Sequence, residues 1–295
     1  MFEVLLQPAR RLSQRLSFRR KFLLIFLLSV GPGIWILSGS LRDGYRAVVR
    51  DEVERQGAVY LQDFTPLAKA LAVHRGASTA LLNGDSSLEA SIAEAVATID
   101  QSLQKIASER ELPHIHIGQW KSQREAIVTA WQAIRSGWRS KPVEVNFAEH
   151  SRLISLVNEY RHHVAGDTGL LLDPEADAYY MIVTMIDTLP RLRERLGQTR
   201  GWTATLVKSV DPKTIGRLDM LVNGEILSLI EHIDNDLVLL SDTNPSSGAK
   251  MVAQWQPVRE GIQALRAEMG GQLQSGDWQN AAGYFKKISE LISWR

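Results

Sequence analysis

YLQDFTPLAKALAVHRGASTALLNGD, residues 60–85, is the stretch whose reading decides the fold. Laid on a helix, Tyr60, Phe64, Leu67, Leu71, His74, Ser78 and Leu81 recur at alternating steps of four and three. That is the seam of a helix packed in a bundle. Two seam members are not apolar. His74 and Ser78 sit one turn apart on the face that packing must bury, with Arg75 beside them. Gly76 and Ala77 keep this turn thin, so a neighbouring helix or a small ligand can approach closely. Asn83-Gly84-Asp85 then carries the turn chemistry that stops a helix. A polar cluster inside an apolar seam costs stability unless it is hydrogen-bonded, which makes this turn a candidate binding site.

The same periodicity fills most of the chain beyond Asp85. Leu88, Ile92, Ala95, Ile99, Leu103 and Ile106 form a second seam, and Trp120, Arg124, Ile127, Trp131, Ile134 and Trp138 a third. Phe147, Ile154, Val157, Tyr160 or Arg161, and Val164 form a rougher fourth. Ala178, Ile182, Met185, Leu189, Leu192 and Leu196 make a fifth, and Leu218, Val222, Ile226, Leu229, Ile233, Leu237 and Leu240 a sixth, the cleanest. Trp255, Val258, Ile262, Leu265 and Met269 make a seventh; Trp278, Phe285, Ile288 and Ile292 begin an eighth. Asp173-Pro174-Glu175 and Asp211-Pro212-Lys213 each offer an N-cap followed by proline at the first helical position. Ser140-Lys141-Pro142, Asn244-Pro245 and Gly270-Gly271 read as breaks, and Pro190 as a bend that frees a carbonyl. No stretch alternates with period two. The expected fold is therefore all-α, an up-down helical bundle. A first helix over Leu41–Leu82 spans about 63 Å at 1.5 Å per residue, which suits two stacked four-helix bundles better than one.

Ahead of this body, Phe22 to Leu41 gives twenty residues without a charge, FLLIFLLSVGPGIWILSGSL, about the length a helix needs to cross a bilayer. The run is longer than a signal-peptide core and no small-x-small cleavage site follows, so it reads as a retained transmembrane helix, kinked at Gly31-Pro32-Gly33. Residues 1–21 carry Arg10, Arg11, Arg15, Arg19, Arg20 and Lys21 against Glu3, a basic tail expected on the cytoplasmic side. Residues 42–295 are then periplasmic, outside a bacterial inner membrane. The chain's net charge is +1, so with +5 in the tail the remainder is −4, which gives no case for a nucleic-acid partner. Cysteine is absent among the 295 residues, which excludes disulfide staples and thiolate metal sites.

HRGAS at 74–78 with LLNGD at 81–85, and LLDPEADAYYMIVTMIDTLPRLRERLGQTRG at 171–201, resemble the N-terminal periplasmic sensor region of bacterial methyl-accepting chemotaxis receptors. Similar input regions occur in membrane histidine kinases and diguanylate cyclases. The resemblance covers residues 22 to about 290. The first motif is also similar to the start of nitrate- and nitrite-sensing helical domains, where an arginine of an (E/H)RG-x-S turn contacts the anion. The resemblance implies a helical ectodomain that dimerises, or pairs with a receptor partner, and binds a small anionic ligand. No second apolar span occurs between 42 and 295 and no HAMP or output domain is present, so the expectation is the input portion of a receptor, truncated before its second membrane span. The alternatives are the N-terminal sensor of a histidine kinase or diguanylate cyclase, and a membrane-anchored accessory protein that pairs with an intact receptor.

The fifth seam continues to Thr199, Thr203 and Leu206, with Arg200 beside Thr199. Two helices thus carry small polar seam residues flanked by an arginine. With the helices in register, Arg75 and Arg200 would clamp a small anion, since guanidinium forks pair bidentately with oxyanions. His74, Ser78 and Thr199 would add hydrogen bonds. The bland alternative pairs each arginine with a bundle carboxylate such as Asp177 or Glu194. Tyr179, Tyr180 and the tryptophan stripe read as packing. His114-x-His116 and His162-His163 lack the i,i+4 spacing of a helical metal site, so no metal and no cofactor is expected. The sequence has no GxSxG, P-loop or GxGxxG, and the chain is not expected to be an enzyme.

Overall fold

Residues 17–107, 118–172, 174–206, 211–275 and 281–292 are described by a computed structural model. They form helices and no strand, the all-α class that the seams predict. The helices are α1 (Phe18–Gln62), α2 (Phe64–Leu82), α3 (Glu89–Ala107), α4 (Gly118–Gly137), α5 (Val143–Asp167), α6 (Ala176–Val183), α7 (Leu189–Leu206), α8 (Pro212–Asp219), α9 (Ile226–Thr243), α10 (Pro245–Ser275) and α11 (Ala281–Ile292). Packing divides the chain into two units, Met1–Glu52 and Val53–Arg295.

In the first unit α1 is exposed along its apolar length, Leu28, Trp35 and Leu37 among the exposed residues. Among the described residues this is the one helix long and apolar enough to cross a membrane. Of the basic tail, residues 1–16 lie outside the described residues.

The expected single helix over Leu41–Leu82 is instead interrupted at Asp63. The cause is local. Pro66 has no N–H for the carbonyl of Gln62, so α1 closes with a tighter turn, Asp63 N donating to Tyr60 O at 3.2 Å. Pro66 then sits in the first turn of α2, where the N–H would have no helical acceptor anyway. α2 stops where predicted: Gly84 takes φ +97°, a left-handed conformation that glycine adopts without strain. Asp85 accepts from Ser87 N at 2.9 Å and starts a single 3-10 turn.

Buried apolar residues of the second unit gather in two clusters. The first runs from Tyr60 to Leu170 and is built by α2, α3, α4 and α5 with the end of α1. The second runs from Leu189 to Ile288 and is built by α7 to α11. The second to fourth, sixth and seventh seams are buried nearly throughout; the exceptions are Leu88 and Arg124, which are half-buried. The fifth seam slips. Met185 is exposed, while Thr184 and Thr188 are buried. Thr184–Thr188 is wound as a π-helix. Its wider turns rotate the face by a fraction of a turn and absorb the donor that Pro190 withholds from the Ile186 carbonyl.

The termini differ in detail too. Asp211 caps α8, accepting from Lys213 N and Thr214 N at 3.2 and 3.1 Å. α6 begins at Ala176 with Glu175 at the cap position, two residues beyond the predicted start at Pro174. Asp173 lies outside the described residues, as do His114, His116, Trp278 and the side chain of Phe285. Gly270-Gly271 does not break α10, which continues to Ser275. A glycine costs a helix only about 1 kcal/mol and removes no hydrogen bond.

Candidate functional site

The polar turn of α2 is fully buried: His74, Arg75 and Ser78 are each 1% exposed or less. It faces α5 on one side and α7 on the other. Glycine makes the second contact possible. A Cβ on Gly197 of α7 would lie 2.7 Å from Nη2 of Arg75, and one on Gly76 of α2 would lie 3.2 Å from Nη2 of Arg200. Each helix therefore leaves a gap for the other's guanidinium.

Arg75 fills its gap with a fork. Nη1 donates to Glu194 Oε1 at 2.5 Å and Nη2 to Glu194 Oε2 at 3.1 Å. Nη1 also donates to Ser151 Oγ at 2.8 Å, and the guanidinium lies 4.9 Å from the Phe147 ring centroid. Gln198 Nε2 donates to the same carboxylate at 2.8 Å. Of the two sequence alternatives for Arg75, the structure forms the ion pair with Glu194. Arg200 donates to Ser289 Oγ of α11 at 3.2 Å. Burial, and then repulsion from Arg75, bring its pKa down to about 10, while Glu194 acts in the opposite direction. The structure thus brings the two arginines and Glu194 together at the α2–α7 contact. Asp177 is bound instead by Asn244, at 2.8 Å.

On the α5 side a chain of hydrogen bonds fixes the proton positions. Nδ1 of His150 lies 2.7 Å from the Asn146 carbonyl, which can only accept, so that nitrogen carries the proton. Nε2 of His150 is then an acceptor in the neutral ring, and the 2.7 Å contact from Nδ1 of His74 must be a donation by His74. Nε2 of His74 is left as a bare lone pair. It is buried and has no partner among the described residues, and the same holds for Oδ1 of Asn146. Asn146 Nδ2 donates to Ser78 Oγ at 2.9 Å, and Ser78 donates on to the Arg75 carbonyl at 3.2 Å. The rings of His74 and His150 stack at 4.9 Å, and His74 meets Trp131 and Trp138 edge to face. Burial lowers the His74 pKa to about 4, helped by Arg139. Burial likewise takes His150 to about 3; the bond to Asn146 opposes this, and His74, Arg75 and Lys141 add to it. Both rings are neutral at pH 7.

Thr199 is buried, but its hydroxyl donates to the Arg195 carbonyl of its own helix at 2.8 Å. Thr203 does the same with Arg200 O. Neither hydroxyl is spent on the arginines. The partners that sequence reasoning missed are Asn146, His150 and Ser151. His150 had a usable signal: it fills the step between Phe147 and Ile154, restoring the spacing of three and four that made the fourth seam look rough.

No family model, curated protein or solved structure matches this chain. The site is therefore read from its own chemistry. No group of three potential metal ligands occurs among the described residues. What the layer offers is a carboxylate held by a buried guanidinium, with a second guanidinium beside it. An oxyanion of similar shape competes for the same donors.

Proposed function

We propose that this chain is the ligand-sensing input portion of a methyl-accepting chemotaxis-type transmembrane receptor. In this reading α1 anchors the protein in the bacterial inner membrane, with the basic N-terminal residues cytoplasmic and residues 42–295 periplasmic. A small anion or organic acid acts at Arg75 and Arg200. The protein works as a homodimer or beside a receptor partner. The observation that carries the reading is the Arg75–Glu194 fork, which ties α2 of the first cluster to α7 of the second. Breaking one side of a buried pair is expensive, about 3–5 kcal/mol, so the contact has two distinct states: Glu194 in the fork, or an incoming anion in its place. Exchange between them moves α2 against α7, the ångström-scale helix shift that receptors use to signal. The exposed apolar run of α1 supports the membrane anchor, and the basic residues preceding it support its orientation.

The test is a thermal-shift series on the full chain in detergent micelles, with nitrate, nitrite and short carboxylates at constant ionic strength. A bound anion raises Tm by mass action. The reading predicts that at least one of these anions does so and that Arg200→Gln diminishes the rise. A Tm indifferent to all of them, or a rise unchanged in Arg200→Gln, contradicts it.

A further inference from the structure

A second pair of arginines lies elsewhere in the same body. α5 and α7 run antiparallel: Phe147 meets Trp202 at one end, ring centroids 5.0 Å apart, and Arg161 faces Asp187 and Arg193 at the other. Along α5, Arg161 is ten residues from Ser151, about 15 Å away at 1.5 Å per residue, so the two arginine clusters are separate. Arg161 is a seam residue, only 7% exposed. Its Nε is buried and has no hydrogen-bond partner among the described residues. The carboxylate that faces it, Asp187, is shared with Arg191 at 3.4 Å and His162 at 3.8 Å. Arg193 repels it.

A guanidinium in this position is costly. Burying a charge is tolerated when it is paired and fully hydrogen-bonded, yet here a donor is left over and a second cation stands alongside. Burial and Arg193 together take the Arg161 pKa down to about 10, against the pull of Asp187, so the group keeps its charge at pH 7. A component that completes the bonding of Arg161 Nε accepts hydrogen bonds, is negative, and is small enough to enter between two packed helices. His162, Asp187 and Arg191 are partly exposed, which puts the solvent side of the cluster within reach of a diffusing ion.

We propose that Arg161 and Arg193 form a second anion-binding site, distinct from the Arg75–Arg200 layer, that takes a small inorganic oxyanion or carboxylate between α5 and α7. One oxygen accepts from Nε of Arg161 and a second from its Nη, the bidentate geometry a guanidinium favours. Arg193 supplies the second positive charge. Arg191 and His162 hold Asp187 aside at the rim.

The experiment uses the full chain in detergent micelles, with nitrate, sulfate and acetate as probes against chloride at constant ionic strength. Tm and calorimetric titration are both read. At least one probe is expected to bind saturably and raise Tm. Arg161→Gln should weaken that binding at least tenfold while leaving Tm in chloride unchanged or higher, because it removes a buried charge. Arg161→Lys keeps the charge and loses the fork, and should fall between the two; it also serves if the glutamine variant does not fold. Arg200→Gln should leave this binding intact. Binding whose affinity and stoichiometry are the same in Arg161→Gln as in the parent overturns the proposal whatever Arg200→Gln does, and so does the absence of saturable binding by all three probes. Loss in Arg200→Gln alone leaves the Arg75–Arg200 reading standing and removes this one.

Discussion

The two apolar clusters of the body are built from the same kind of seam and differ in what they admit. In the second cluster, the helices α8 to α11 bury apolar residues from Leu218 to Ile288, and Thr214 is the one buried polar residue they carry among the described residues. The helices α2 to α5 of the first cluster, together with α7, bury His74, Arg75, Ser78, Thr79, Ser102, Asn146, His150, Arg161, Glu194, Thr199 and Thr203. A seam without polar members, like the sixth, shows that this architecture does not need them. Their concentration along α2, α5 and α7 is therefore a property of that region's task rather than of helix packing. Acceptors there without a partner among the described residues, His74 Nε2 and Asn146 Oδ1, point the same way, since stability alone would have removed them.

The contrast can be broken by substitution. The largest effect is expected for Glu194→Ala, which leaves Arg75 buried without its carboxylate; unfolding free energy should fall by about 3–5 kcal/mol in denaturant titrations. A loss under about 1 kcal/mol would mean that the fork is solvated in solution, not buried. The next effect is on pH dependence. Both histidines have pKa values in the folded state below the ordinary 6.5, so the unfolded chain takes up protons first as pH falls. Stability from this source is complete above about pH 6.5 and is lost on the way down to pH 4, by about 3 kcal/mol for each ring. Replacing both histidines by glutamine should flatten the curve. Leu237→Ala, a deletion in the second cluster, should cost about 3 kcal/mol with the same pH profile as the parent. An equal acid slope in the parent and the double glutamine variant would place the titrating groups elsewhere. The smallest effect is expected at the other end of the first cluster. There Tyr60 donates to the Ile106 carbonyl at 3.3 Å and accepts from Tyr160 at 3.0 Å. Tyr160→Phe removes one neutral hydrogen bond and should cost about 1 kcal/mol; a loss of 3 kcal/mol or more would show that the phenol supports a wider network.

Much of this region was legible in the sequence, and the limits are physical. Periodicity reports which face of a helix is buried, so the all-α class, the apolar seams and the buried turn at His74, Arg75 and Ser78 could all be read from spacing. Periodicity does not report partners. Glu194 lies off the Leu192–Leu196–Thr199 line, and its pairing with Arg75 could be named only as an alternative to an anion. Winding defects are also invisible to a fixed period, which is why Met185 was placed inside and Thr184 and Thr188 were passed over. Pro190 marked the right place, but a proline states that a donor is missing, not how the helix recovers. Gly270-Gly271 shows the reverse: residues that often end helices do so only when nothing packs beyond them, and Leu273, beyond the pair, packs against the second cluster. Arg161 stood in the fourth seam as an alternative to Tyr160; both are buried, and only the structure shows Arg193 beside it.

The central claim is that the Arg75–Glu194 fork is kept for what it responds to and not for the stability it provides. Arg75→Met combined with Glu194→Leu tests this in one protein, because an apolar pair of similar size can replace a buried ion pair without loss. The account predicts that the double variant unfolds at the parent's Tm or above it and no longer responds to the anion that raises the parent's Tm. A double variant that is markedly less stable, or one that keeps the anion response, would contradict it.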